Sequence, residues 1–290
     1  MTTSRRFLFV QFEFPWVLGP EPGRYTIRER LGEAPAHILV LRTLGAAERR
    51  LLAPRRRPRD APPAPEAEPV PVSRATLIDT GPIPGVEAAE RRLREADLDV
   101  LAQEALARLN RVLHAHRVAV ADPYAGEVGR AQALVVRVGY GDGERVSEGR
   151  WDSARELPAG ARGARGARGR SAALRPQERL AALLAGRDAA LACEELTLRA
   201  RSDVDAGRLR EAALQLRIAV DAALAELEPW RDQAGLQQRL TELRARRDEV
   251  VAAADAALRG GLDDEHVETV HAVLARLEAA LRARTAGVRL

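Results

Sequence analysis

The pair His114-Ala-His116 carries the residue type that most often holds a metal ion. In a strand the two rings would share a face. The surrounding pattern is helical, however, and residues two apart stand roughly 200° around the axis. His116 then joins the apolar stripe of Leu109, Val112 and Leu113, while His114 points away. A second candidate is His266-Val-Glu268-Thr-Val-His271. A helical zinc site sets its histidines four residues apart; these are five apart and diverge. Asp263, Asp264 and Glu265 suit a helix N-terminus, where acids meet the positive end of the dipole.

The single cysteine, Cys193, excludes an internal disulfide and a cysteine-cluster metal site. Its acidic neighbours Glu194 and Glu195 oppose thiolate formation. Gly139-Tyr-Gly-Asp-Gly143 lacks the Lys-Ser/Thr ending of a phosphate loop and precedes a strand pattern, so a hairpin turn is expected. There is no Gly-x-Ser-x-Gly. Asp122-Pro-Tyr124 has the composition of an Asx turn. The sequence thus calls for no cofactor and no metal. If there is an enzyme pocket, it is expected in the N-terminal domain around Tyr124, His116 and Trp151.

Arginine is the remaining chemistry. The chain has no lysine, so all 46 basic residues are arginine. Residues that stay charged at every accessible pH carry the isoelectric point to about 10.0 although the net charge is only +4. Six arginines fall in residues 49–59 and five in 159–175, with no acid in either stretch. Setting those eleven aside leaves 35 arginines against 42 acids, a net of −7. Arg55, Arg56, Arg57 and Arg59 in the first segment and Arg162, Arg165, Arg168 and Arg170 in the second are the candidate nucleic-acid contacts. Guanidinium forks bind phosphate in two-point fashion. With no aromatic interleaved to stack on bases, such binding would be non-specific and salt-sensitive.

The elements that must position these residues fall into two halves with different cores. Nine of ten aromatics lie at or before Trp151. In Phe7–Phe14 the even positions Leu8, Val10, Phe12 and Phe14 are apolar, whereas Gln11 and Glu13 are polar, which predicts a strand with one buried face. Arg5-Arg6 before it has the look of an export signal, but Gln11, Glu13 and Pro15 interrupt the apolar run. No stretch is long enough to cross a bilayer, so the cytoplasm is the expected location. Further strands are expected at Tyr25–Ile27, His37–Leu44, Ala75–Asp79, Leu134–Val138 and Arg145–Trp151. Helices are expected at 86–96 and 98–117. The order lacks βαβ alternation, so the first domain, residues 1–157, reads as α+β with a small mixed or antiparallel sheet and two helices. A Pro/Arg-rich loop is expected at 54–71.

Residues 158–175 hold three tandem Ala-Arg-Gly units and read as a flexible linker. After Pro176 everything reads helical, with helices at about 176–186, 188–205, 208–228, 231–259 and 263–286. Leu196, Ala200, Gly207, Glu211-Ala212, Leu216 and Ala219 are similar to a tetratricopeptide helix-turn-helix. Arg199 and Asp203 depart from that pattern and the unit occurs once, so what the resemblance implies is one helical hairpin. The last two helices share a three-and-four rhythm, which predicts a C-terminal helical hairpin of coiled-coil type in the all-α region 176–290.

Three functions follow in order of preference. The first is a non-catalytic interaction or scaffolding protein that binds a protein partner or itself through the seam Val267, Val270, Leu274, Leu277 and Leu281, unless the internal hairpin consumes it. The second is non-specific nucleic-acid association through the arginine segments. The third is an enzyme.

Overall fold

The structure, a computed structural model, describes residues 5–30, 32–45, 70–158 and 176–287. The chain divides into two compact units, Met1–Arg162 and Gly163–Leu290. The Pro/Arg-rich stretch 54–71, but for its last two residues, and the Arg/Gly segment lie outside the described residues.

The first unit is an antiparallel seven-stranded sheet with two helices. Its strands are β1 (Arg5–Phe14), β2 (Gly23–Ile27), β3 (His37–Leu44), β4 (Val72–Asp79), the short β5 (Ile83–Pro84), β6 (Val135–Gly141) and β7 (Ser153–Leu157). The order is β2-β3-β4-β1-β6-β7, with β5 pairing the start of β1. The long β1 is central, flanked by β4 (Phe12↔Ala75) and by β6 (Val10↔Val138). Its even residues face α1 (Gly85–Glu95) and α2 (Leu98–Val120), and join Leu39, Leu77, Val136 and Leu109 in the main core. Asp97 starts α2 by accepting from the N–H groups of Asp99 (3.0 Å) and Val100 (3.2 Å).

The expected strand at Arg145–Trp151 does not form. A 3₁₀ turn occupies Gly143–Glu148, and the partner of β6 is Ser153–Leu157. The apolar residues of the segment are spent crossing the second face of the sheet. Val146 packs there on Phe9 and Ile78, and Trp151 stacks near Phe9, with ring centroids 5.8 Å apart. Gln11, fully buried on this face, donates to Thr76 Oγ1 (2.9 Å) and accepts from Arg137 (2.7 Å). Ion pairs Arg24–Glu144 (2.6 Å) and Arg42–Glu148 (3.4 Å) pin the turn to the strands.

The second unit is all helical: α3 (Pro176–Leu184), α4 (Ala192–Asp205), α5 (Leu209–Glu226), α6 (Leu236–Ala245), α7 (Arg247–Arg259) and α8 (Asp264–Gly287). The helix expected over 231–259 starts later and breaks at Arg246 (φ −101°, ψ 4°). A continuous helix would set Arg247 on the apolar seam; after the break it is half exposed and donates to Asp221 on α5 (2.6 Å). α8 packs against α7, α6, α5 and α4, so the last two helices belong to a bundle. α4 and α5 form the helical hairpin that the tetratricopeptide likeness implied. Asp203, which departs from that pattern, is buried and satisfied by Arg208 and Gln215, each at 2.6 Å.

Candidate functional site

Two concave surfaces stand out, one in each unit. In the first unit a cleft of about 260 Å³ opens between the sheet and the two helices. Leu8, Val10, Leu77, Leu101 and Val138 form its apolar floor. His37, Asp79, Arg92, Glu104 and Arg108 supply its polar lining. Strand pairing brings the first two together, because His37 opens β3 directly opposite Asp79, which closes β4. Arg92 comes from α1, whereas Glu104 and Arg108 lie one turn apart on α2 and pair at 3.4 Å.

Beside the cleft, Glu29 accepts from Arg108 (3.4 Å) and Arg111 (3.3 Å). Burial works to raise the Glu29 carboxyl, but Arg111 and Arg108 outweigh it and hold it below the usual range. His37 Nδ1 is buried without a hydrogen-bond partner among the described residues, 3.9 Å from Glu29 Oε1. Burial, reinforced by Arg108, pushes the His37 imidazole below its ordinary value of 6.5, against the pull of Asp79 and Glu29. A histidine held neutral by the fold protonates more readily in the unfolded chain. Its contribution to stability is therefore present above 6.5 and is lost as pH falls from there through the depressed native value. Thermal denaturation across that range will show wild type losing stability more steeply than His37→Gln; parallel curves would mean that His37 is not linked to folding.

Among the described residues no hydroxyl or thiol lines the cleft, so what they offer is charges that bind. Among the described residues no group of three or more His, Cys, Asp and Glu side chains could hold a metal ion. No helix among them is long and apolar enough to cross a membrane.

The enzyme pocket expected around Tyr124, His116 and Trp151 does not form, because the three never converge. Tyr124 is 93% exposed. His116 packs against the backbone of Gly19. Trp151 lies on the opposite face of the sheet, with the Arg137 guanidinium 4.7 Å from its ring centre. His266 is tied to Asp263 by its backbone N–H (2.9 Å) and its ring (2.6 Å), a helix-start arrangement, while Glu268 and His271 are exposed. Cys193 is buried, and burial together with Glu226 pushes its thiol far up. Glu226 also accepts the N–H groups of Ala192 (3.2 Å) and Cys193 (2.9 Å), so one helix caps the start of another.

In the second unit, two adjoining hollows of about 420 and 330 Å³ run along α3, α4 and α8 and share Arg179, Glu194, Leu198 and Thr285. Leu180, Leu183, Leu191 and Leu281 make the walls apolar. Beneath them Arg284 donates to Asp188 (2.8 Å) and Glu194 (3.2 Å), with its guanidinium 4.6 Å from the Trp230 ring centre. Arg179 donates to the same two carboxylates, at 2.6 Å to Glu194 and 3.4 Å to Asp188. No protein-family model, curated protein or solved structure matches the chain. Its functional reading rests on these surfaces.

The seam expected to bind a partner is spent inside. Val270, Leu274 and Leu277 are buried in the helical core and Val267 is partly buried, because α8 is wrapped by four helices. Leu281 lines the smaller of the two hollows. Arg55, Arg56, Arg57, Arg59, Arg162, Arg165, Arg168 and Arg170 lie outside the described residues. The surface residues that the seam reading missed are Leu180, Leu184 and Leu198. Leu180 and Leu184 stand one turn apart on α3, a spacing visible in the chain, but only packing tells which leucines remain outside. The His37–Asp79 encounter carries no local signal, since the two are brought together by strand pairing.

Proposed function

We propose that this is a non-catalytic interaction protein whose helical unit pairs with a second copy of itself. The supporting observation is exposed leucine beside an apolar hollow: Leu198, 67% exposed, lines the hollow walled by Leu180, Leu183 and Leu191, and Leu184, 80% exposed, directly follows Leu183 on α3. A two-fold interface needs a patch that is complementary to itself. Here one copy supplies the exposed leucines and the hollow of the other receives them. Glu195 and Arg282 on the hollow walls provide charges of both signs, so the patch does not repel its own image. Burying a leucine contributes about 1.5–3 kcal/mol.

Light scattering coupled to gel filtration tests this. Wild type is expected at twice the chain mass, unchanged at high salt because the contact is apolar. Leu184→Glu with Leu198→Glu is expected to weaken the pair by about 100-fold or more with an unchanged circular dichroism spectrum, both positions being exposed. A wild-type monomer at tens of micromolar, or a dimer indifferent to the two substitutions, would sink the proposal.

A further inference from the structure

We infer that the cleft of the first unit binds a small zwitterion with an aliphatic side chain, a free α-amino acid being the simplest member of the class. This goes beyond the self-pairing reading and does not depend on it. The inference starts from two opposite charges that share one hollow and do not pair. Arg92 lines the cleft, and its guanidinium has no hydrogen-bond or ion-pair partner among the described residues. Asp79 lines it from the end of β4 and makes no ion pair among the described residues; one oxygen accepts the Gly81 N–H at 2.8 Å. The other charges are already matched, with Arg108 between Glu29 and Glu104. An incoming carboxylate therefore has a guanidinium to meet, and an incoming ammonium has a carboxylate.

Size and floor narrow the class. Sites for drug-sized ligands run to about 300–1,000 Å³. A cleft of about 260 Å³ suits one small metabolite. The apolar lining is Leu8, Phe9, Val10, Leu77, Leu101, Ala105 and Val138, and no hydroxyl among the described residues lines the cleft to read a polar side chain. A simple anion would satisfy Arg92 alone and leave that floor wet. A simple amine would satisfy Asp79 alone. A molecule with both charges and an aliphatic branch uses all three features at once.

The test titrates the full chain, by calorimetry and thermal shift, with leucine, leucinamide, 4-methylpentanoate and glycine. These remove in turn the carboxylate, the amine and the side chain. Leucine is expected to bind and raise the melting temperature, with each truncated analogue weaker by about tenfold or more, the scale of a lost charge-assisted hydrogen bond or a lost buried side chain. Arg92→Gln is expected to weaken leucine to the level of leucinamide, and Asp79→Asn, which keeps an acceptor for Gly81, to that of 4-methylpentanoate. Arg92 is exposed, so its replacement leaves the fold intact, and the analogue series on wild type needs no variant at all. The inference is overturned if none of the four compounds binds, if 4-methylpentanoate binds as well as leucine, or if both variants bind leucine as wild type does.

Discussion

Arg284→Ala will cost the helical unit about 3–5 kcal/mol, the scale seen when one partner of a buried ion pair is removed. The side chain is 1% exposed, and the carboxylates it serves, Asp188 and Glu194, are themselves largely buried. With Arg284 gone, Arg179 alone faces both acids from a less buried position. The guanidinium also covers the Trp230 ring, so its removal opens a void beside an aromatic. Arg284→Lys will recover little, because an ammonium has neither the fork to reach both carboxylates nor the plane to stack.

The pH dependence gives this prediction a signature. Burial works to raise Asp188, but the Ala189 N–H, Arg284 and Arg179 together hold it below its ordinary value of 3.8. A carboxyl with a depressed native pKa contributes stability that is present above that ordinary value and is lost as pH falls through the native one. The gap between wild type and Arg284→Ala is therefore widest at neutral pH and narrows in acid, where the stranded Asp188 carboxylate protonates. Urea denaturation at several pH values measures it. A loss below about 1 kcal/mol at neutral pH would place the cluster among surface pairs of little consequence.

Gly139→Ala will cost the first unit about 3 kcal/mol, at the upper end of ordinary overpacking. Gly139 pairs directly with Ala154 across β6 and β7. A β-carbon there would sit 2.9 Å from the Ala154 Cα and press still harder on the Ser153 carbonyl oxygen. Both obstacles include backbone, so no rotamer change relieves them, and β7 must lift from the sheet. The expected fall in melting temperature is about 6–12 °C for a unit of this size. Gly141→Ala is the control. Its tightest approach is to a methyl of the buried Val146, and its nearest backbone atom, the Trp151 Cα, stands at 3.1 Å, whereas Gly139 meets backbone first, so the loss should be smaller. Equal stability of Gly139→Ala and wild type would show that the β6–β7 pairing has slack that the structure does not contain.

Local periodicity was legible where one side of an element alone meets the core. The alternation of Leu8, Val10, Phe12 and Phe14 identified the helix-facing side of β1, and the stripe through Leu109 and Leu113 identified the buried side of α2. The helical angle separating His114 from His116 followed from the same reasoning. These outcomes depend on the backbone repeat and on residues within one turn or two of each other, which the chain order itself specifies.

What the tertiary structure alone decided concerns surfaces that a remote segment covers. Gln11 falls on the polar side of the β1 alternation, yet it and its neighbour Thr76 are fully buried because residues 143–151 fold back over the second face of the sheet. The rhythm of 236–257 reads as one helix, yet the chain breaks at Arg246 and Arg247 pairs with Asp221 on another helix. The leucines of α8 look like a partner seam until four helices close around them, while Leu184 and Leu198 are left outside. His37 and Asp79 meet only because β3 pairs with β4. By itself the sequence determined which residues are apolar and with what period. Which apolar face is covered, and by what, is settled by long-range packing, because burial is a free energy of surfaces brought together and not of neighbours along the chain.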